Sequence, residues 1–329
     1  LHVRFVCPPE SAVEAAARSR GLEVEPIPLA RGNRIGNAGR LARILAEHPV
    51  DLVDSHGSRD REALTLLGLL RRLTVPVVFT RRSFPRTTRL ENWLAARVAT
   101  RVVAISEPVA RVLRSRGVPD AKLVVIHNGV LLDRIEGTPS PVVMQALAEE
   151  IGWESSRRTI VIVARPKDQK VVLDALKWVA TPVRLVLAGL HGSALTGPLP
   201  GIPDRHAVVR LPFRAEVRPF YQLAELVLHP SRWDALPQAV LEAMALGKAV
   251  IASRATGNAV IIRDGEDGLL VDAMNPEAWA RAIDLVLGDQ VLAARLGAAA
   301  RFRARQAFPL ERTIDQTIEL YRTCVARSF

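Results

Sequence analysis

Short runs rich in valine and isoleucine alternate along the chain with segments whose apolar residues recur every three or four positions. The first pattern belongs to strands buried on both faces of a parallel sheet, the second to amphipathic helices. Strands are predicted at 2–7, 22–29, 50–55, 75–80, 101–106 and 122–127, separated by helices over 10–20, 36–48, 60–73, 89–98 and 107–116. Gly137, Pro139 and Pro141 then mark a domain junction near 130–157. A second series has strands at 159–164, 183–189, 207–212, 226–230, 248–253 and 268–271, with helices near 170–179, 216–223, 237–246 and 276–304. The succession predicts an α/β protein of two Rossmann-like, doubly wound domains facing a central cleft. The helical periodicity of 309–326 predicts a last helix that crosses back to the first domain. The expected divisions are therefore 1–140, 141–308 and 309–329.

Composition narrows the functional classes. The 329 residues exceed one ordinary core, and 49% hydrophobic against 24% charged residues is a globular composition. Cys7 and Cys324 stand at opposite ends of the chain, so neither a disulfide framework nor a cysteine metal site is expected, and a reducing cytoplasm is the default location. No apolar run reaches the roughly 18–20 residues needed to span a bilayer. The net charge is +11, and residues 1–140 carry 22 Lys+Arg against 14 Asp+Glu, nearly all of the basic residues being arginine. Aromatic residues amount to only 5%, too few for a base-stacking platform, so nucleic acid is not an expected partner. A basic N-terminal face instead suits an anionic membrane surface or a phosphorylated acceptor, giving peripheral contact at the inner face of the cytoplasmic membrane.

The most specific stretch is SRWDALPQAVLEAMALGKAVIAS, residues 231–253. A strand ends before it, Asp234 lies in a short loop, Pro237 suits the first position of a helix, and Glu242 lies within that helix. Five residues of helix rise place Glu242 about 7.5 Å along the axis from Pro237, so the two carboxylates bracket an electropositive helix start where a diphosphate fits. Capping acids on a solvated helix have the same spacing; it is the whole string that favours a site.

This string resembles the family 4 (group 1) retaining glycosyltransferases of GT-B fold, whose signature is Glu-x7-Glu followed by Ala-Met-Ala-x-Gly. Here it reads Asp-x7-Glu, with Asp234 in place of the first glutamate and Ala235-Leu236-Pro237 where glycine-rich residues are usual. The segment VIVARPKDQK (161–170) is similar to the family's Gly-Arg-Leu-x-x-x-Lys, which implies that Arg165 and Lys170 neutralise the leaving diphosphate. RLPFRAEVRPFYQLAELVLHPS (210–231) matches the unit ahead of the signature and makes Phe213 and Arg214 candidates for the base, Phe213 being equally suited to a core. Thr256-Gly257-Asn258 resembles the family's glycine loop facing the donor.

In the N-terminal half, VDLVDSHGSRD places His56 at a strand's carboxyl end, and VVFTRRSFPRTTRLENW places Arg81 and Arg82 at the next. Many relatives carry histidine where Arg82 stands, so Arg82 is read as a donor-phosphate or anionic-acceptor contact. RVVAISEPVARVL (101–113) and VVIHNGV (124–130) resemble two further landmarks of the family, with Ser106 read as a helix N-cap rather than a nucleophile.

The resemblance covers about His2 to Tyr321 and implies transfer of a sugar from a nucleoside diphosphate sugar to a hydroxyl acceptor, with retention and without a metal or other cofactor. Asp234, Arg165 and Lys170 are the catalytic candidates; Glu242, Phe213, Arg214, Leu236, Gly257, His56 and Arg82 are the donor-binding ones. The acceptor is expected to be a glycan or glycolipid of the cell envelope, lipopolysaccharide included. The family's opening strand and Gly-Gly loop are not matched, residues 1–29 resembling its second unit. The alternative is accordingly a truncated or degenerate member that binds nucleotide sugar or anionic glycolipid without turnover.

Overall fold

A computed structural model describes residues 1–199 and 201–326. They form two compact units. One comprises residues 1–105, 109–125 and the described residues from Thr317 on; the other comprises 106–108 and 126–316. The division thus follows Val125 rather than residue 140. Val130 pairs with Pro309 and donates its N–H to Phe308 O at 2.9 Å, tying this stretch to the second unit. Pro141 does not interrupt structure but opens a helix, Pro141–Glu150, whose Ser140 cap accepts from Val143 N.

In the first unit β1 (Arg4–Cys7) and β2 (Glu23–Pro26) form a parallel pair of their own. The strands β3 (Val53–Ser55), β4 (Val77–Arg81), β5 (Arg101–Ala104) and β6 (Leu123–Val125) make a separate four-stranded parallel sheet in chain order. The single series expected from the sequence is therefore two sheets. Every residue of β4 is buried, which accounts for its unbroken apolar run up to Thr80. After β4, Thr88 accepts from Glu91 N while the Glu91 carboxylate accepts from Thr88 N, a capping box that fixes the start of the helix Arg89–Val98.

The second unit is a six-stranded parallel sheet built from β7 (Arg158–Val163), β8 (Val183–Leu190), β9 (Ala207–Pro212), β10 (Leu226–His229), β11 (Val250–Ser253) and β12 (Leu269–Val271). Their order is β12-β11-β10-β7-β8-β9. The chain moves outward from β7 in one direction, then returns to the other side of β7 at β10, so the loops after β7 and β10 part at a topological switch point. One face packs on the helix Pro276–Gly288, where Trp279 and Ile283 are fully buried against Ile160, Leu185, Leu226 and Ile251. Burying a tryptophan of this size contributes on the order of 4 kcal/mol.

The helix expected over 276–304 is two helices. It breaks at Gly288-Asp289, where the Asp289 carboxylate accepts from Leu292 N at 2.9 Å and starts Gln290–Ala307. The closing helix Leu310–Ala326 begins in the second unit and ends in the first. Ser106 does not cap the helix Glu107–Ser115: its hydroxyl is buried and finds no hydrogen-bond partner among the described residues.

Candidate functional site

The loops after β7 and β10 are joined by charge. Asp168 accepts from the backbone N of Arg232 at 3.0 Å and from its guanidinium at 3.0 and 3.2 Å. Lys167 forms an ion pair with Asp234, and the Asp234 Oδ2 atom lies 2.8 Å from His229 Nε2. Asp234 thus stands between two basic side chains, one exposed and one sealed at the carboxyl end of β10. Burial pushes its pKa up, but the hydrogen bond and charge of His229, then those of Lys167, outweigh burial and hold the carboxyl well below the usual range. Asp234 is an ionised acceptor at neutral pH.

The helix that follows starts at Gln238, with Pro237 as its cap rather than its first residue. No side chain caps it, so its first N–H groups point past the chain end and present the positive pole of the helix dipole. Four residues into the helix, Glu242 is buried and accepts a 2.9 Å hydrogen bond from the Tyr221 hydroxyl; Arg134 stands 3.7 Å from its other oxygen. Burial raises its pKa against the opposing pull of Arg134 and Tyr221. Beneath the loop, Gly257 donates to Asp234 O at 2.9 Å, and a Cβ there would come within 2.4 Å of the same oxygen. Only glycine lets the 256–258 turn support the Asp234 loop this closely. Leu236 is buried beside it, and the hydroxyls of Ser231 and Ser253 and the Asn258 Oδ1 atom are buried without partners among the described residues.

The sequence-derived candidates divide here. Asp234, Glu242, Leu236 and Gly257 lie on one loop, the helix start after it and the turn that supports them. Arg165 is exposed in the loop after β7, where its carbonyl accepts from Gln169 Nε2. Lys170 is not the lysine that the structure brings to Asp234: it begins the helix Lys170–Ala175 and pairs with Asp174 one turn on, leaving that position to Lys167. Arg214 pairs with Glu150, and Phe213 is 72% exposed, so it is not a core residue. Sequence reading missed His229, Lys167, Tyr221 and Arg134. The available signals were a histidine closing an otherwise apolar strand, LVLHP, and a second cation in ARPKDQK.

A second cluster lies at the carboxyl ends of β3 and β4. The partly buried Asp54 carboxylate accepts from Thr80 Oγ1 at 2.9 Å and from the Tyr321 hydroxyl, and His56 Nε2 lies 3.2 Å away. His56 Nδ1 is 3.0 Å from Arg82 Nε. Because an arginine N–H only donates, Nδ1 accepts and the proton sits on Nε2, directed at Asp54. Burial raises the Asp54 pKa, but the hydrogen bonds of His56, Tyr321 and Thr80 bring it below the ordinary value. The network fixes both His56 and the exposed Arg82.

Among the described residues, no three His, Cys, Asp or Glu side chains converge to hold an ion. No helix among them is long and apolar enough to cross a membrane.

Comparison with known proteins follows the same division. Residues 157–289 match the model described as "Glycosyl transferases group 1", and residues 1–134 match "Glycosyltransferase Family 4". The chain is similar to the D-inositol 3-phosphate glycosyltransferase of Nocardioides, 31% identical over 63% of this chain and 43% of that protein. The corresponding Xylanimonas cellulosilytica protein is 27% identical over 69% of this chain and 57% of its own. The chain spans about half the length of these curated relatives. Among solved structures, Anabaena HepE in complex with UDP-glucose superposes with a TM-score of 0.80 at 20% identity, covering 97% of this chain and 91% of that one. WaaG, a glycosyltransferase involved in lipopolysaccharide biosynthesis, does so at 0.68 and 16% identity, covering 95% and 98%. These likenesses give the fold, GT-B. With both matched segments and both parallel-sheet units in agreement, the chain belongs to the family 4 (group 1) glycosyltransferases.

Proposed function

We propose that the chain transfers a sugar from a nucleoside diphosphate sugar to a hydroxyl acceptor, with retention at the anomeric carbon and without a metal. The observation that carries this reading is the uncapped helix start between Asp234 and Glu242 at the switch point of the second unit. The helix N–H groups, with Lys167 and Arg165 from the loop after β7, receive the diphosphate. Glu242 accepts from the ribose hydroxyls, displacing Arg134, and Asp234 accepts from a sugar hydroxyl, displacing Lys167 toward phosphate. Phe213 and Arg214 flank the base. The HepE complexes with UDP and UDP-glucose support a donor of this kind.

In the reaction the bond between the anomeric carbon and the phosphate oxygen breaks and the acceptor oxygen bonds to that carbon on the same face. The acceptor proton passes to the departing diphosphate, whose charge the cations and helix pole stabilise. His56 and Arg82 serve the acceptor, which we assign to envelope glycans or glycolipids; the basic excess of residues 1–140 suits an anionic membrane surface. The rival, donor binding without turnover, is favoured by one feature: both Asp234 oxygens already hold basic partners.

Thermal melts against UDP-, GDP- and ADP-sugars test the donor site, since a ligand of the native state raises the melting temperature by mass action. One donor is expected to give a saturable rise that Glu242→Ala abolishes. An undiminished rise in that variant removes the site. Slow release of sugar from the bound donor separates transfer from binding alone.

A further inference from the structure

A group of arginines in the first unit has no role in that reading. Arg81, the last residue of β4, is 7% exposed, and Arg61, in the first turns of the helix Ser58–Leu69, is 8% exposed. Neither forms an ion pair among the described residues. Arg81 donates one hydrogen bond, from Nη1 to the neutral Asn92 Oδ1 at 3.2 Å, and Arg61 donates to Gly57 O at 2.9 Å. Arg116 donates to Thr87 O. A guanidinium has five N–H donors. Among the described residues the remaining donors of Arg81 are unpartnered, yet they are not sealed from solvent, since none is among the fully buried unpaired atoms.

The charges that act on Arg81 are those of Arg61 and Arg116, both of its own sign. The carboxylates near Arg61 are held elsewhere: Asp60 by Gly57 N and Ser55 Oγ, Glu62 and Glu91 by Arg34. Burial, followed by those two like charges, pulls the Arg81 pKa down to about 9. Buried charge without a counter-ion is costly, and ordinary packing would replace it with an apolar side chain or pair it with a carboxylate.

We infer that Arg81, flanked by Arg61 and Arg116, forms an oxyanion seat at the carboxyl end of β4 that takes a phosphate group, either a free ion or a phosphomonoester. Its forked donors match two phosphate oxygens, and the ligand supplies the charge that the protein omits. The seat is distinct from the diphosphate position in the second unit, and its test does not depend on transfer activity.

Equilibrium dialysis with radiolabelled inorganic phosphate and thermal melts, at constant ionic strength with chloride as the replacement, read the seat directly. The wild type and Lys167→Ala are expected to bind phosphate and gain melting temperature saturably. Arg81→Gln, whose amide still donates to Asn92, is expected to lose tenfold or more in affinity and to melt no lower than wild type in phosphate-free, low-salt buffer. Wild-type affinity in Arg81→Gln overturns the seat, as does a phosphate effect no larger than that of chloride. If Arg81→Gln melts lower than wild type without phosphate, or does not fold, the Nε–H resonances of the wild-type arginines decide: movement of Arg61, Arg81 and Arg116 on adding phosphate sustains the seat, and movement only elsewhere removes it. Tighter binding of a sugar phosphate than of inorganic phosphate at these residues sustains it with a phosphomonoester as ligand, and equal binding sustains it with the free ion.

Discussion

His229 Nε2 and Asp234 Oδ2 stand 2.8 Å apart, so the strand end and the loop that leaves it are fixed to each other five residues on. The histidine is almost completely buried, and Lys167 holds the other carboxylate oxygen. Asp234→Asn is expected to cost about 1–3 kcal/mol at pH 7, as it leaves charged or buried donors short of an acceptor. The folded carboxyl titrates below its ordinary value of 3.8, so its contribution is present above that pH and is lost as pH falls through the folded value. Urea unfolding at about pH 7, 5 and 3 checks both points. A gap between wild type and variant that persists undiminished in acid would contradict the assignment.

Glu242 has the opposite electrostatics. Burial raises its pKa above 4.5, so its contribution is fully present below that value and is lost as pH rises through the folded one. Glu242→Gln is therefore expected to melt no lower than wild type at neutral pH, with the balance shifting further toward the glutamine as pH climbs from about 4 to 7. The same substitution removes a charged acceptor from the donor site and should weaken donor binding by about tenfold or more. Calorimetric melts and donor titration separate the two effects: a variant that loses stability and keeps its donor would refute both.

At Gly257 the constraint is steric. An added Cβ meets Asp234 O at 2.4 Å and Ala235 C and O at 2.6 Å, all of them backbone atoms that no rotamer change can move. Gly257→Ala should cost about 1–3 kcal/mol, as overpacking does, and shift the Asp234 loop enough to reduce the donor-induced rise in melting temperature. Gly288→Ala is the control. Its Cβ would meet nothing within 4 Å, and its effect should stay within about 0.5 kcal/mol.

These residues also mark how far the sequence could be read. The strands were visible because β7, β8 and β11 are apolar on both faces, a requirement that writes itself into consecutive valines, isoleucines and leucines. Asp234 and Glu242 were visible because their spacing is set by one loop and one helix. Lys167 was obscured by Arg165 and Lys170 in the same short loop, since which cation reaches Asp234 depends on where the loop turns rather than on residue type. Arg134 has no local signal at all, as its approach to Glu242 joins positions 108 residues apart. The split of the first unit into two sheets was likewise illegible, because strand runs do not state which strands pair. The buried state of Arg81 was hidden for a related reason: an arginine at a strand end reads as solvated unless the elements covering it are known.

Tyr321 gives a test at the alkaline end of the pH range. Its hydroxyl donates to Asp54, a contact that fastens the end of the closing helix to β3. Burial, followed by the Asp54 charge and hydrogen bond, raises the phenol pKa above its ordinary value of 10.0. The contribution is therefore fully present below about 10 and is lost as pH rises through the folded value. Tyr321→Phe leaves the partly buried carboxylate one donor short and should cost about 1–3 kcal/mol at pH 7. Above pH 10 the wild type must deprotonate a phenol beside an anion in order to profit from the solvent, whereas the phenylalanine variant has no such proton to lose. The difference between the two, measured by urea unfolding at about pH 7 and 11, should therefore narrow in alkali. A constant difference would mean that Tyr321 acts by packing alone and that Asp54 is satisfied by Thr80 and His56 without it.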